Sequence, residues 1–208
     1  MGFKVFKIFF VFVLFSFFTA CGKDIDKSLF KEGDIIFQNK KSKASDFTAL
    51  LSDAKYNNLG VLYSIGDKWY VFEASQPAEL TPLNAWVKEG EKSHYAVKRL
   101  KEEETVMTKE ALGKMEQTIK EFMGKPYDFK YDWSDKALYG SELVWKIFYN
   151  ALNIELCPLQ TLADFDLTKE TIKNKTKEVY GSKVPLYEEL VTPAAIYASP
   201  LLIAIVEN

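Results

Sequence analysis

Tyr139-Gly140-Ser141-Glu142-Leu143-Val144-Trp145-Lys146-Ile147-Phe148-Tyr149-Asn150-Ala151 is the stretch on which the fold turns. From Ser141 to Ala151 it reads as a helix that is apolar on most sides. A helix of that kind is buried all round, so this one belongs at the centre of a domain. Upstream, Thr108 is placed to cap an amphipathic helix. Ala111, Met115, Ile119 and Phe122 recur at spacings of four, four and three, one stripe facing a core. Gly124 ends that helix and Pro126 follows. A loop rich in Tyr, Phe, Asp and Trp runs from Tyr127 to Tyr139.

The N-terminal half reads mainly as strands. Gly33-Asp34 is a turn leading into the apolar run Ile35-Ile36-Phe37, a buried strand. Ser45 is expected to cap a short helix through Asp46–Lys55. Leu59–Ile65, the turn Gly66-Asp67 and Trp69–Ala74 form a hairpin pattern. Thr81-Pro82 is expected to open a second short helix, with Thr81 as cap and Pro82 in the first helical position. His94–Leu100 alternates as a strand. Downstream of the central helix, Thr168–Tyr180 is a polar, more exposed helix and Pro200–Val206 a last strand. Early strands with interspersed helices give an α+β class rather than a regular βαβ series.

The chain has 208 residues, 27 Lys+Arg against 29 Asp+Glu, and a net charge of −2. Arg99 is its only Arg. A slightly acidic chain with one Arg is not expected to read nucleic acid, which calls for a cationic face and bidentate Arg contacts. Two Cys and one His leave too few ligands for a Cys/His zinc site and exclude a disulfide framework. No metal or cofactor is expected. Phosphate-loop, His-Glu-x-x-His, Cys-x-x-Cys and Gly-x-Ser-x-Gly motifs are absent.

Half of the 16 Phe lie in residues 1–20. Lys4 and Lys7 precede an uncharged run from Ile8 to Ala20, which is shorter than the ~20 residues of a spanning helix. A basic start followed by a short apolar run is a secretory leader. Its end, Phe18-Thr19-Ala20-Cys21, resembles the lipobox of bacterial lipoproteins. That resemblance implies removal of residues 1–20, acylation of Cys21 and attachment to a membrane of the bacterial cell envelope. Two or more acyl chains hold a protein stably on a bilayer. Residues 21–32 then read as lipidated terminus and polar tether, and 33–208 as one folded domain.

Several separated segments appear in order: Gly33-Asp34-Ile35-Ile36-Phe37, Asn58-Leu59-Gly60-Val61, Trp69-Tyr70-Val71-Phe72-Glu73-Ala74, Gly124-Lys125-Pro126-Tyr127-Asp128 and Tyr139-Gly140-Ser141-Glu142-Leu143-Val144. Together they resemble the YiiX/YebB-like branch of the papain-like NlpC superfamily, whose catalytic motifs are circularly permuted. The resemblance extends through Asp164-Phe165-Asp166-Leu167 and Ser199-Pro200-Leu201-Leu202. It implies an antiparallel sheet packed against the central helix. It also implies a cysteine hydrolase: a Cys at the start of that helix, a His on the first hairpin strand and a carboxylate on the next. A helix N-terminus favours a thiolate and offers N–H groups to an oxyanion. The His takes the thiol proton and the carboxylate orients the ring.

On that pattern the Cys position is Gly140, the His position is Asn58, and only the carboxylate, Glu73, is kept. Glycine has no nucleophile, and an amide does not exchange protons near neutrality. Asp34, Asn58, Glu73, Tyr139, Gly140 and Ser141 remain as candidate ligand-binding residues. Glu73 reads equally as a ligand contact or as a carboxylate solvated in the cleft, and Asp34 as a turn residue near it. Ser141 is expected to serve as a helix cap, Cys157 as a buried, inert thiol and His94 as an exposed strand-end imidazole. Tyr127, Phe129, Tyr131, Trp133 and Tyr139 either wall an apolar groove or pack in the core. These replacements point to a lipid-anchored, inactive relative that binds an acyl- or amide-bearing ligand, a lipid or a cell-wall peptide. An active cysteine hydrolase, with the replacements engineered or bypassed, and a structural or partner-binding lipoprotein remain alternatives.

Overall fold

Residues 25–40 and 46–207 are described in the computed structural model. The leader, Cys21 and Ser45 lie outside them. In chain order the elements are β1 (Ile35–Lys40), α1 (Phe47–Leu51), β2 (Asn58–Ile65), β3 (Lys68–Glu73), β4 (Glu79–Pro82), α2 (Leu83–Glu89) and β5 (Gly90–Leu100). There follow α3 (Glu103–Val106), α4 (Lys109–Phe122), α5 (Gly140–Leu152), β6 (Gln160–Thr161), α6 (Glu170–Tyr180), β7 (Glu189–Leu190), α7 (Pro193–Tyr197) and β8 (Leu202–Glu207). Six strands form an antiparallel sheet in the order β4-β3-β2-β1-β5-β8, and β6 pairs with β7.

Strand alternation divides the core into two layers. Ile35, Phe37, Leu59, Val61 and Phe72 face one way, onto α4 and α5. Ile36, Leu62, Val71 and Val97 face the other way, onto Leu83, Trp86 and Val87 of α2. The central helix α5 is buried on nearly every side, as its composition implies. α4 buries Ala111, Met115, Ile119 and Phe122, the stripe read from the sequence, and Thr108 accepts from the Ala111 amide. Gly60 lets β2 and β3 approach closely: a Cβ there would lie 2.4 Å from Val71 Cγ1 and 2.6 Å from the Phe72 carbonyl oxygen.

Four local expectations are corrected. The cap of α1 is Asp46, not Ser45; its carboxylate accepts from the Thr48 and Ala49 amides at 2.8 and 3.1 Å. That helix ends at Leu51, short of Lys55, because Asp53 turns the chain with a φ of 48°. Thr81 does not cap α2: Thr81 and Pro82 close β4, and Pro82 itself takes the cap position. The segment read as a tether through residue 32 is docked before it reaches there. Asp26 caps a single 3-10 turn over Lys27–Leu29, and Phe30 is buried edge-on to Trp69 and Tyr95.

Candidate functional site

Glu73 closes β3 on the α2 face of the sheet, and Asn58 opens β2 on the same face, opposite Gln38. The parity follows from alternation: Glu73 shares a side with Val71, and Asn58 with Gly60 and Leu62. Asn58 Nδ2 donates to Glu73 Oε2 at 3.3 Å, and Trp86 Nε1 donates to the same oxygen at 3.0 Å. The Thr81 hydroxyl donates to Oε1 at 2.6 Å. Glu73 is buried. Three donors have thus replaced water around it, so of the two readings offered by the sequence, ligand contact or solvated carboxylate, the solvated one is not what the fold builds. Thr81 is engaged here rather than at a helix start, which is why the capping expectation failed.

Gly140 begins α5, packed on the other face of the sheet, and it shares the lining of one cleft with Asn58 but not with Glu73. Its missing Cβ would stand 3.4 Å from Leu59 Cδ2, ordinary van der Waals distance, so the position has room for a side chain. The cleft is a hollow of about 260 Å³. Gly140, Asn57, Asn58 and Ala74 line it with the aromatic rings of Tyr127, Phe129 and Tyr131, and Lys40 and Lys175 stand among the lining residues. Asp46 completes the wall. It is held by the Tyr127 hydroxyl at 2.8 Å as well as by its own helix, and burial pushes its carboxyl above the usual range. The phenol of Tyr127 is raised well above its ordinary value, again chiefly by burial. Lys40, Asp46 and Lys175 were missed by the sequence reading. Asp46 alone carried a local signal, as the first acid of a helix turn.

Three predicted ligand residues are turned elsewhere. Asp34 lies at the opposite end of β1, away from the cleft lining. It is buried and grips Arg99, Nε to Oδ1 and Nη2 to Oδ2, both at 2.7 Å. Tyr139 is fully buried, and its hydroxyl accepts from the Val191 amide at 3.0 Å. Ser141 is not a cap but the second residue of α5, donating to the Val191 carbonyl at 2.8 Å. Tyr139 and Ser141 therefore clamp the segment after β7 against α5. Trp133 lies outside the cleft too, edge-on to Trp145 on the far side of that helix. Cys157 is buried as expected, and desolvation pushes its thiol up to about 12. His94 is exposed on β5.

Below Gly140 in α5, Glu142 is fully buried and accepts from the Tyr139 amide at 3.3 Å. Desolvation lifts its carboxyl from 4.5 to about 8, with Lys146 Nζ, 2.8 Å from Oε1, pulling the other way. The folded chain thus holds a proton that the unfolded chain has released over this window. This stabilisation is fully present below a pH of 4.5 and is lost as the pH rises through about 8. Glu142→Gln is expected to flatten the fall in melting temperature across that range. A slope equal to that of the unaltered protein would remove Glu142 as its cause.

Among the described residues no group of three or more His, Cys, Asp or Glu side chains is placed to hold a metal ion. The site therefore offers a buried, donor-saturated carboxylate, an amide, a helix start without a side chain, and an aromatic wall flanked by lysines. It contains no thiol and no imidazole.

Residues 29–206 match the family described as "Permuted papain-like amidase enzyme, YaeF/YiiX, C92 family". The uncharacterized protein YiiX of Escherichia coli K12 is 41% identical over 176 residues, covering 85% of this chain and 86% of that protein. The crystal structure of metalloprotein YiiX from Escherichia coli O157:H7 superposes with a TM-score of 0.79 at 39% identity, covering 86% of this chain and 97% of that one. The antiparallel sheet, the central helix and the order of the motifs are those of this family, and the chain belongs to the permuted papain-like amidases of the YaeF/YiiX type.

Proposed function

We propose that this protein is a non-hydrolytic member of its family: lipid-anchored through Cys21 in a bacterial envelope, and binding an acyl- or amide-bearing ligand in the cleft at Gly140. One observation carries the reading. The helix start and the strand position that the family pattern gives to nucleophile and base hold Gly140 and Asn58, and these two residues line one cleft. Removing either member of such a unit costs about 10⁶ in kcat. Glu73 stays in place because it has structural partners in Thr81, Trp86 and Asn58. The open hollow favours a binding role over a purely structural one. Its aromatic wall suits an acyl chain or a peptide side chain, and Lys40 and Lys175 suit a carbonyl or carboxylate.

The E. coli relative is described as a metalloprotein. The described residues of this chain form no group of three or more His, Cys, Asp or Glu side chains placed to hold a metal ion. Amide, peptide and ester substrates are expected to show no turnover with the purified protein. Turnover abolished by Glu73→Gln in a variant of unchanged melting temperature, yet unaffected by Ser141→Ala and Cys157→Ala, would overturn the reading. For the anchor, Cys21→Ser is expected to block leader removal and release the protein from membranes. Unchanged fractionation of that variant would exclude acylation at Cys21.

A further inference from the structure

We propose that the surface formed by Leu29, Leu201 and Ile203 seats on the lipid bilayer, an inference that rests on acylation of Cys21. These three large apolar side chains are 49%, 41% and 42% exposed. Arg99 gathers them. It is the cross-strand neighbour of Ile203, and its Nη2 donates to the Leu29 carbonyl at 2.6 Å. Two residues on, Lys101 donates its amide to the Leu201 carbonyl at 2.8 Å. β8, which carries Ile203, is the outer strand of the sheet and has no partner on its far side among the described residues.

Chain length selects the occupant. Ile25 already packs against the second core layer, and Asp26 caps the turn that ends at Leu29. From Cys21 to Ile25 there are four residue steps, a reach of at most about 14 Å. An acyl chain on Cys21 inserted in a leaflet therefore holds Leu29 close to the headgroups, and the exposed patch beside it meets the interface. Exposed Lys27 and Lys101 adjoin the patch, while Asp26 and Glu102 offset their charge, so apolar contact rather than attraction to anionic lipid makes the seat. The cleft residues Lys40 and Asn58 lie at the other end of β1 and β2, about 20 Å along the strand from Asp34 and Arg99. A domain seated this way holds its cleft off the membrane surface, where a ligand arrives from the aqueous side.

The test uses the full acylated protein in vesicles of phosphatidylethanolamine and phosphatidylglycerol whose acyl chains carry bromine as a quencher. Single variants Leu29→Cys, Ile203→Cys and Tyr187→Cys are labelled with pyrene maleimide. Cys157 is buried with its thiol raised to about 12, so the introduced thiol takes the label. Tyr187, 83% exposed on the loop before β7, is the control. Emission is expected to be lost at 29 and 203 and kept at 187, with the protein pelleting in alkaline carbonate. Pelleting with no quenching at 29 and 203 overturns the seat and leaves the anchor standing. Excimer emission between two probes at 203 assigns the patch to a second copy of the chain and also overturns it. Protein left in the supernatant overturns acylation, and the seat with it.

Discussion

The double variant Asn58→His with Gly140→Cys is expected to acquire a thiol that alkylates about ten times faster at pH 6 than the thiol of Gly140→Cys alone. The geometry is prepared for it. The backbone at Gly140 is ordinary helix, and a Cβ there meets only Leu59 Cδ2, at 3.4 Å. The first turn of α5 favours negative charge. An imidazole at position 58 replaces an amide nitrogen that already lies 3.3 Å from Glu73 Oε2. Pairing with such a base lowers a thiol from about 8.5 to roughly 5.5. At pH 6 the thiolate fraction then rises about two hundredfold, and the weaker intrinsic nucleophilicity of a low-pKa thiolate takes back roughly a factor of twenty. Cys157 contributes no background, since its thiol is buried and raised to about 12. Alkylation of the double variant at the rate of Gly140→Cys would show that the cleft does not bring side chains at positions 58 and 140 within hydrogen-bond reach.

Arg99→Ala is expected to destabilise the domain by about 3–5 kcal/mol at pH 7, because it strands a buried carboxylate. For a chain of this size that is a fall in melting temperature of roughly 10 °C. Asp34 is 1% exposed, and two of the hydrogen bonds to its oxygens come from Arg99. The remaining partner is the Lys31 amide, at 2.9 Å. Burial already holds the Asp34 carboxyl above its usual range, with Arg99 opposing that shift. Without the guanidinium the carboxyl rises further. A folded-state value raised above the unfolded one gives stability that is present at low pH and lost as the pH rises, so the penalty of Arg99→Ala should shrink on acidification. Arg99→Lys restores charge but not the two-pronged contact, and is expected to recover only part of the loss. A loss below about 1 kcal/mol would show that Asp34 is not confined as its geometry implies.

Much of the architecture is legible in the sequence. The stripe on α4, its cap at Thr108, the hairpin of β2 and β3 and the central helix all rest on spacings within one element, where the physics is local. The misreadings share a different cause. Ser45 and Asp46 both carry a capping side chain, and the carboxylate, able to accept two amides, takes the role. Thr81-Pro82 is a good helix start in isolation, but Thr81 has a stronger claim on its hydroxyl in Glu73. Asp34 directly precedes a motif strand, β1, yet its partner is Arg99, on β5. Tyr139 and Ser141 flank Gly140 in sequence, but successive side chains on a helix diverge by about 100°, so neighbours in sequence face different surroundings. Of the three, only Gly140 lines the cleft.

What residue identity settles is chemical inventory: no thiol at 140 and no imidazole at 58, whatever shape the chain takes. What folding settles is partnership. Three donors from β2, β4 and α2 converge on Glu73, Val191 is held by Tyr139 and Ser141, and Lys175 comes to the cleft from α6. Functional groups belong to single residues, whereas hydrogen bonds and desolvation depend on which distant segments the packed core brings within about 3 Å.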